Sequence, residues 1–246
     1  MRKILGAPSY LAVAGMRGEI GIGMMKSRIV RGRLQYVRAI EQGGKEILKR
    51  VWENMKDRGT GRWMAEVRKY LGWAELEIGS LGQISQGELS SRVAEVVDRE
   101  WKVELEARST LARYKRWKTD MRQEDCYDGR PTSQTWFMAR TNCLRLRDRG
   151  RHQGQDVTCF MCGTEVEDLV HFVLDCAGLE RWRIRAVDLQ RPRLESEEEV
   201  LGRFLFGEED VERKKEVLGE MWRQRGRVER ARAEEERRRG EAGDGE

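Results

Sequence analysis

Three of the chain's five cysteines and one of its two histidines fall within eighteen residues, CFMCGTEVEDLVHFVLDC, from Cys159 to Cys176. Their spacing is Cys159-x2-Cys162-x8-His171-x4-Cys176. Three thiolates and one imidazole form the Cys3His donor set of a structural Zn²⁺ site. Two residues between the first cysteines let one tight turn aim both sulfurs at a single point. Gly163 follows directly, and a glycine there tolerates the positive φ that such a turn needs. Four protein ligands leave no open position for a reactive water, so the set speaks for a structural ion over a catalytic one. Two other readings stand beside it. The Cys-x-x-Cys could be a redox pair, which calls for a βαβ setting that the sequence lacks. The four side chains could also be ordinary buried residues.

The elements around the cluster must hold these ligands. "EVEDLVHFVLDC" reads as a short helix with Glu165, Glu167 and Asp168 near its start, where the helix dipole favours acids. His171 and Cys176 are five positions apart, so they share an ion only if Cys176 sits at the loosened end of that helix. A metal can contribute about 10–16 kcal/mol to folding, ample for a module expected to have very little core of its own. Upstream, "TWFMARTNCLRLRDRGR" is predicted as one strongly basic helix leading into the cluster. Downstream, "LERWRIRAVDLQ" is predicted as a helix ended by Pro192. Cys126 and Cys143 lack such a pattern and read as core or surface thiols, and His152 as a loop residue.

Composition sets the wider frame. Over 246 residues the chain is 39% hydrophobic and 37% charged, against a usual charged share of about 25%. Good helix formers dominate and β-branched runs are few. The expected fold is therefore mainly α: a helical scaffold with a small zinc module and a charged, partly disordered C-terminal tail. The charge permits a polyanionic partner without requiring one, since 48 basic residues nearly balance 43 acidic ones for a net +5. An odd cysteine count argues against a secreted disulfide framework. The start loosely imitates a signal peptide, but Gly6, Pro8 and Ser9 interrupt it. No apolar run approaches a membrane span. The chain is expected to be nuclear or cytoplasmic, with no small-molecule substrate.

Five segments are expected. Residues 1–75 are helical, with Ile29, Leu34, Val37 and Ile40 on one face and Trp63, Val67 and Leu71 on a later one. "GMRGEIGIG" lacks the order of a nucleotide loop. Residues 76–134 hold a Gly-rich joint and one long charged helix over 88–122, within which Trp117, among basic residues, could stack on a base but reads first as a core residue. Residues 135–192 carry the basic helix and the zinc module. Residues 193–225 are short helices anchored by Val200, Leu201, Phe204 and Leu205. Residues 226–246 lack an apolar stripe and are expected to fray into disorder.

The stretch "FMARTNCLRLRDRGRHQGQDVTCFMCGTEVEDLVHFVLDCAGLERWR" resembles the CCHC zinc-knuckle segment at the C-terminal end of reverse transcriptases of non-LTR (LINE-type) retrotransposons. The residues that carry the likeness are Phe137, Arg140, Cys159, Cys162, Gly163, Glu167, His171, Phe172, Cys176 and Arg181. "ILGAPSYLAVAGMRGEIGIGMMKSRIVRGRLQYVRAI" looks like the stretch after the polymerase thumb of the same proteins. The likeness covers about residues 4–55 and 135–185. The family's polymerase needs paired aspartates, and no Asp-Asp pair occurs here. There is no endonuclease motif either, so both catalytic domains would lie before Met1 and the chain is expected not to be an enzyme.

The resemblance implies that this region grips the element's RNA or its target DNA. Arg140, Arg145, Arg147, Arg149 and Arg151 lead into the zinc site, and Arg181, Arg183 and Arg185 leave it. Guanidinium groups so placed can hold phosphates, while Phe160 and Trp182 can stack on unpaired bases. Two other readings remain: a zinc-stapled scaffold whose charged helices bind protein partners, and an enzyme fragment that works in trans with a separate polymerase chain.

Overall fold

The computed structural model describes residues 2–43, 45–186 and 195–243. Its helices are α1 (Arg2–Leu5), α2 (Val13–Ile20), α3 (Met25–Glu41), α4 (Glu46–Arg58), α5 (Arg62–Trp73), α6 (Gln86–Glu106), α7 (Ala112–Trp117), α8 (Pro131–Arg140), α9 (Glu180–Arg183), α10 (Glu197–Phe206) and α11 (Val211–Gly243). Among the described residues, extended pairing is limited to two isolated bridges, Ile20–Gln123 and Thr158–Val166. The mainly helical expectation holds. None of the helices described is long and apolar enough to cross a membrane.

The chain forms two compact units that cut across the five expected segments. One comprises residues 20–107 and 120–123, the other residues 1–19, 108–119 and 124–246.

The unit of residues 20–107 is built on α3 to α6. Val30, Leu34, Val37 and Ile40 form the buried face of α3. Ile29, expected on that face, is instead 46% exposed. Val30 lies four residues before Leu34 and so shares its side of the helix, whereas Ile29 lies five before it. On α5 the buried stripe is Met64, Val67 and Leu71. Trp63, expected in that stripe, is half-buried and packs edge-on against Trp52 of α4 at 5.6 Å. On α6, Leu89, Val93, Val96, Val97, Trp101 and Leu105 face inward. The Gly-rich joint becomes a 3-10 turn at Leu81–Gln83, and Ser85 caps α6 by accepting from the Glu88 N–H at 3.0 Å.

The helix expected over 88–122 is two helices. α6 stops at Glu106 and α7 starts at Ala112, with Arg108 extended between them at φ −116° and ψ 97°. The break coincides with the boundary between the units, so the two apolar faces serve different cores. Trp117 does pack inside its own unit. It stacks on Phe206 with rings 6.5 Å apart and 12° from parallel. A Cβ on Gly202 of α10 would lie 2.0 Å from the Trp117 ring, so only glycine allows this approach.

The second unit gathers its core from α8 (Trp136, Ala139), α10 (Val200, Leu201, Phe204, Leu205) and α11 (Val217, Leu218, Met221). Leu169, Phe172, Val173, Leu174 and Leu179 of the Cys/His segment belong to this same core. The module expected to be nearly coreless is thus bolted to the unit's main apolar cluster. α10 begins with a capping box between Ser196 and Glu199.

The basic helix expected over 135–151 is also divided. α8 ends at Arg140, and Asn142 turns the chain left-handed at φ +52°, a conformation that stops helices and that asparagine tolerates. Leu144 and Leu146 are then buried on either side of exposed Arg145, and a 3-10 stretch runs from Arg147 to Gln153. The helix expected over 179–190 is only α9 in its first part; residues 187–190 and Pro192 lie outside the described residues. The tail, expected as a frayed single helix passing into disorder, is helical as the end of α11 to Gly243. Ion pairs one turn apart, Arg238 with Glu234 at 2.8 Å and Arg239 with Glu235 at 2.5 Å, support this last part of α11, which has no apolar stripe.

Candidate metal centre

Two strands of backbone, joined by a tight loop, present the first two cysteines. The Glu167 N–H donates to the Val157 carbonyl at 2.9 Å, and the Cys159 N–H to the Glu165 carbonyl at 2.7 Å. Inside the loop, the Gly163 N–H donates to the Cys159 carbonyl at 2.9 Å and the Met161 N–H points at the Cys159 sulfur at 3.3 Å. Gly163 has φ +73° and open space where a Cβ would sit. Backbone conformation, not crowding, demands glycine here, as its place after Cys162 suggested.

The last two ligands come from the following helical turn. Asp168 caps its start, accepting from the His171 N–H at 2.8 Å. His171–Asp175 then winds as a π-helix, with the Cys176 N–H bonded to the His171 carbonyl at 2.8 Å. In an α-helix, at about 100° per residue, side chains five apart point about 140° away from each other. The wider π turn closes that angle. The awkward x4 spacing between His171 and Cys176 is met by the wider winding together with the expected place of Cys176 at the helix end, where it leaves the helical region at φ −54° and ψ 114°.

The four donor atoms of Cys159, Cys162, His171 and Cys176 lie within 4.8 Å of one another. Cys159 Sγ is 3.7 Å from Cys176 Sγ, and Cys162 Sγ is 3.4 Å from His171 Nε2. All are free of disulfides, and the cluster could hold a metal ion. His171 Nδ1 is 2.8 Å from Glu165 Oε2, which fixes the ring and leaves Nε2 for the ion. The Thr164 hydroxyl donates to Cys162 Sγ at 3.3 Å.

Proton affinities follow from this crowding. The Cys159 thiol is held down to about 4, first by the hydrogen bond with Cys176, then against burial by the Cys162 and Met161 N–H groups. Cys176 is pushed far up because it keeps the proton the two share, and burial adds to the rise. Burial works against a charged His171, but hydrogen bonding to Cys159 and the nearby sulfur charge carry its pKa above the usual imidazole value.

Behind the sulfurs lies a buried ion pair. Arg225 of α11 donates from Nε to Glu167 Oε1 at 3.0 Å and from Nη2 to Oε2 at 2.7 Å. Glu167 also accepts from the Arg147 N–H at 3.1 Å and lies 3.9 Å from Cys159 Sγ. Burial raises the Glu167 carboxyl, with Arg225 pulling it back. α11 is thereby tied directly to the module.

The residues expected to touch nucleic acid divide into three groups. Arg140 does not face solvent: it is buried, donating from Nη1 to the Leu205 carbonyl at 3.0 Å and pairing with Glu19 at 3.1 Å. Arg183 is also committed, donating to the carbonyls of Val173 and Cys176 behind the metal ligands. Arg145, Arg147, Arg149 and Phe160 line one open groove of about 940 Å³ beside the module, together with Tyr10 and Arg225. In that groove Arg147 bonds the Thr158 carbonyl at 2.8 Å and Asp156 at 2.9 Å. Arg149 bonds the Leu144 carbonyl at 2.9 Å while remaining exposed. Arg145 is exposed on its rim, and Arg151 is exposed outside its lining. Phe160 is half-buried beneath the guanidinium groups of Arg147, Arg225 and Arg232 at 4.2, 5.1 and 5.7 Å. Arg181 and Trp182 line a different groove. Tyr10, Arg225 and Arg232 were missed because they lie far from the cysteines in sequence. Arg225 in particular sits in a charged run that carries no mark of burial.

No protein-family model matches this chain, and neither a curated protein nor a solved structure matches it.

Proposed function

We propose that Cys159, Cys162, His171 and Cys176 bind one Zn²⁺, and that the groove beside them binds a single strand of RNA or DNA without catalysing a reaction on it. The zinc reading is supported by donor type and spacing. Metal–sulfur bonds of about 2.3 Å in a tetrahedron separate sulfurs by about 3.8 Å, and Cys159 and Cys176 lie 3.7 Å apart. The ion would brace the hairpin against the π turn; no step of chemistry passes through it.

The binding reading is carried by one observation: Arg145, Arg147, Arg149 and Phe160, chosen for charge and aromaticity, share one groove with Tyr10. Tyr10 is 57% exposed, with the Arg149 guanidinium 5.7 Å from its ring. It offers a base a free face, which Phe160 under its three arginines offers less well. Such a site fits the post-thumb and zinc-knuckle region of a LINE-type reverse transcriptase detached from its catalytic domains, and we propose that origin on the sequence likeness.

A zinc-stapled scaffold for protein partners is the second reading, and the stacking already satisfied at Phe160 favours it. Salt titration of binding to single-stranded RNA separates the two. For a strand held by phosphates, log affinity falls with log salt by about 0.7 per phosphate neutralised. Arg145→Ala with Arg149→Ala should flatten the slope by about 1.4. Binding no tighter than that of an equally charged control peptide would discard the nucleic-acid reading. Metal analysis finding no zinc in well-folded protein would discard the other half.

A further inference from the structure

We propose that the groove between α9 and α11 is a second site for a phosphodiester backbone, so that the protein holds two strands at once, one on each side of α11. This rests on reading the Phe160 groove as the first such site. The second groove, of about 440 Å³, is lined by Arg181, Trp182 and Arg185 on one wall and by Arg223 and Arg227 of α11 on the other. Glu220 is, among the described residues, the one acid in its lining, and it is taken by Arg185. Among the described residues, Arg223 and Arg227 are exposed and hold no ion pair, hydrogen bond or ring contact. Positive charge is therefore concentrated in a concave site where, among the described residues, nothing pairs with Arg223 or Arg227. The guanidinium fork matches phosphate oxygens. Trp182, with Arg181 3.8 Å from its ring centre, adds a flat surface on which a base can stack. An acidic peptide would use the charge and leave that surface idle.

Helix geometry keeps the two grooves apart. At about 100° per residue, Arg225 and Arg232 lie within about 20° of each other around α11, while Arg223 and Arg227 each lie about 160° from Arg225. The first pair covers Phe160, and the second lines the α9 groove. A helix with its side chains is about 10–12 Å across, and the Arg225 side is closed by Glu167. A strand in one groove cannot reach the other without passing around α11. Two strands held this close would pair faster when they are complementary.

The test uses the full, zinc-loaded chain and a short oligouridylate, with stoichiometry read by calorimetry. The wild type should bind two equivalents. Arg223→Ala with Arg227→Ala should bind one, as should Tyr10→Ala with Arg149→Ala, and all four changes together should bind none. Dye-labelled complementary strands should anneal faster with the wild type, and the α11 double variant should lose that acceleration while keeping its remaining affinity. Both α11 residues are exposed, so unchanged circular dichroism is expected. A single equivalent, lost with Tyr10 and Arg149 and kept without Arg223 and Arg227, would overturn the second site and leave the first standing. No equivalent at all would overturn both. Displacement from the α9 groove by oligoglutamate of equal charge would assign that groove to an acidic peptide instead.

Discussion

Arg225→Ala should be among the most damaging single changes in the second unit. Arg225 is 2% exposed and Glu167 fully buried, and two hydrogen bonds of 2.7 and 3.0 Å join them. Removing one partner of a buried pair costs about 3–5 kcal/mol, because the other charge is left uncompensated. Here the stranded carboxylate would keep the Arg147 N–H at 3.1 Å but face the Cys159 sulfur at 3.9 Å. The lost contacts with the Phe160 and Trp222 rings, each at 5.1 Å, add about 0.5–1 kcal/mol apiece. Arg225→Lys keeps the charge and loses the fork, so it should fall between wild type and alanine. Arg225→Met combined with Glu167→Gln removes both charges and should recover most of the loss. Urea unfolding of cobalt(II)-loaded protein, followed by the absorption of the bound ion, reads this region alone. If Arg225→Ala shifted stability by less than about 1 kcal/mol, with the double variant no better, the pair would not be what ties α11 to the module.

Metal affinity should rise with pH. His171 and Cys176, both raised above their usual values, must lose protons to bind an ion, so each proton released strengthens binding as pH climbs; an affinity flat across neutral pH in a chelator competition would contradict the ligand set. Gly202→Ala should destabilise the second unit by about 1–3 kcal/mol through overpacking, since its Cβ meets Trp117 at 2.0 Å; adding Trp117→Leu should relieve it in thermal unfolding. Ser196→Ala removes a side-chain cap that accepts from Glu199 at 3.3 Å and should cost about 1 kcal/mol, measurable by urea denaturation.

The sequence by itself determined the four clustered residues that could hold a metal, the glycine after Cys162 and the helical class. Those features are local: C-x-x-C-G makes its own turn, and the buried faces of α6 and α10 repeat with the period of a helix. It also determined which arginines stand near the cluster, but not what each one does. Arg140 and Arg145 look alike in sequence, yet one pairs with Glu19 inside the unit and the other lies in an open groove. That choice depends on residues more than a hundred positions away, which no local pattern encodes. Arg225, whose neighbours in sequence are charged, likewise finds its partner, Glu167, outside any local pattern, 58 positions away. Tertiary structure alone also divided the long helix at Arg108, because propensity favours continuation and only two separate cores favour a break. It chose the π turn at His171, where local preference is for an α-helix and bringing His171 and Cys176 together requires the wider winding.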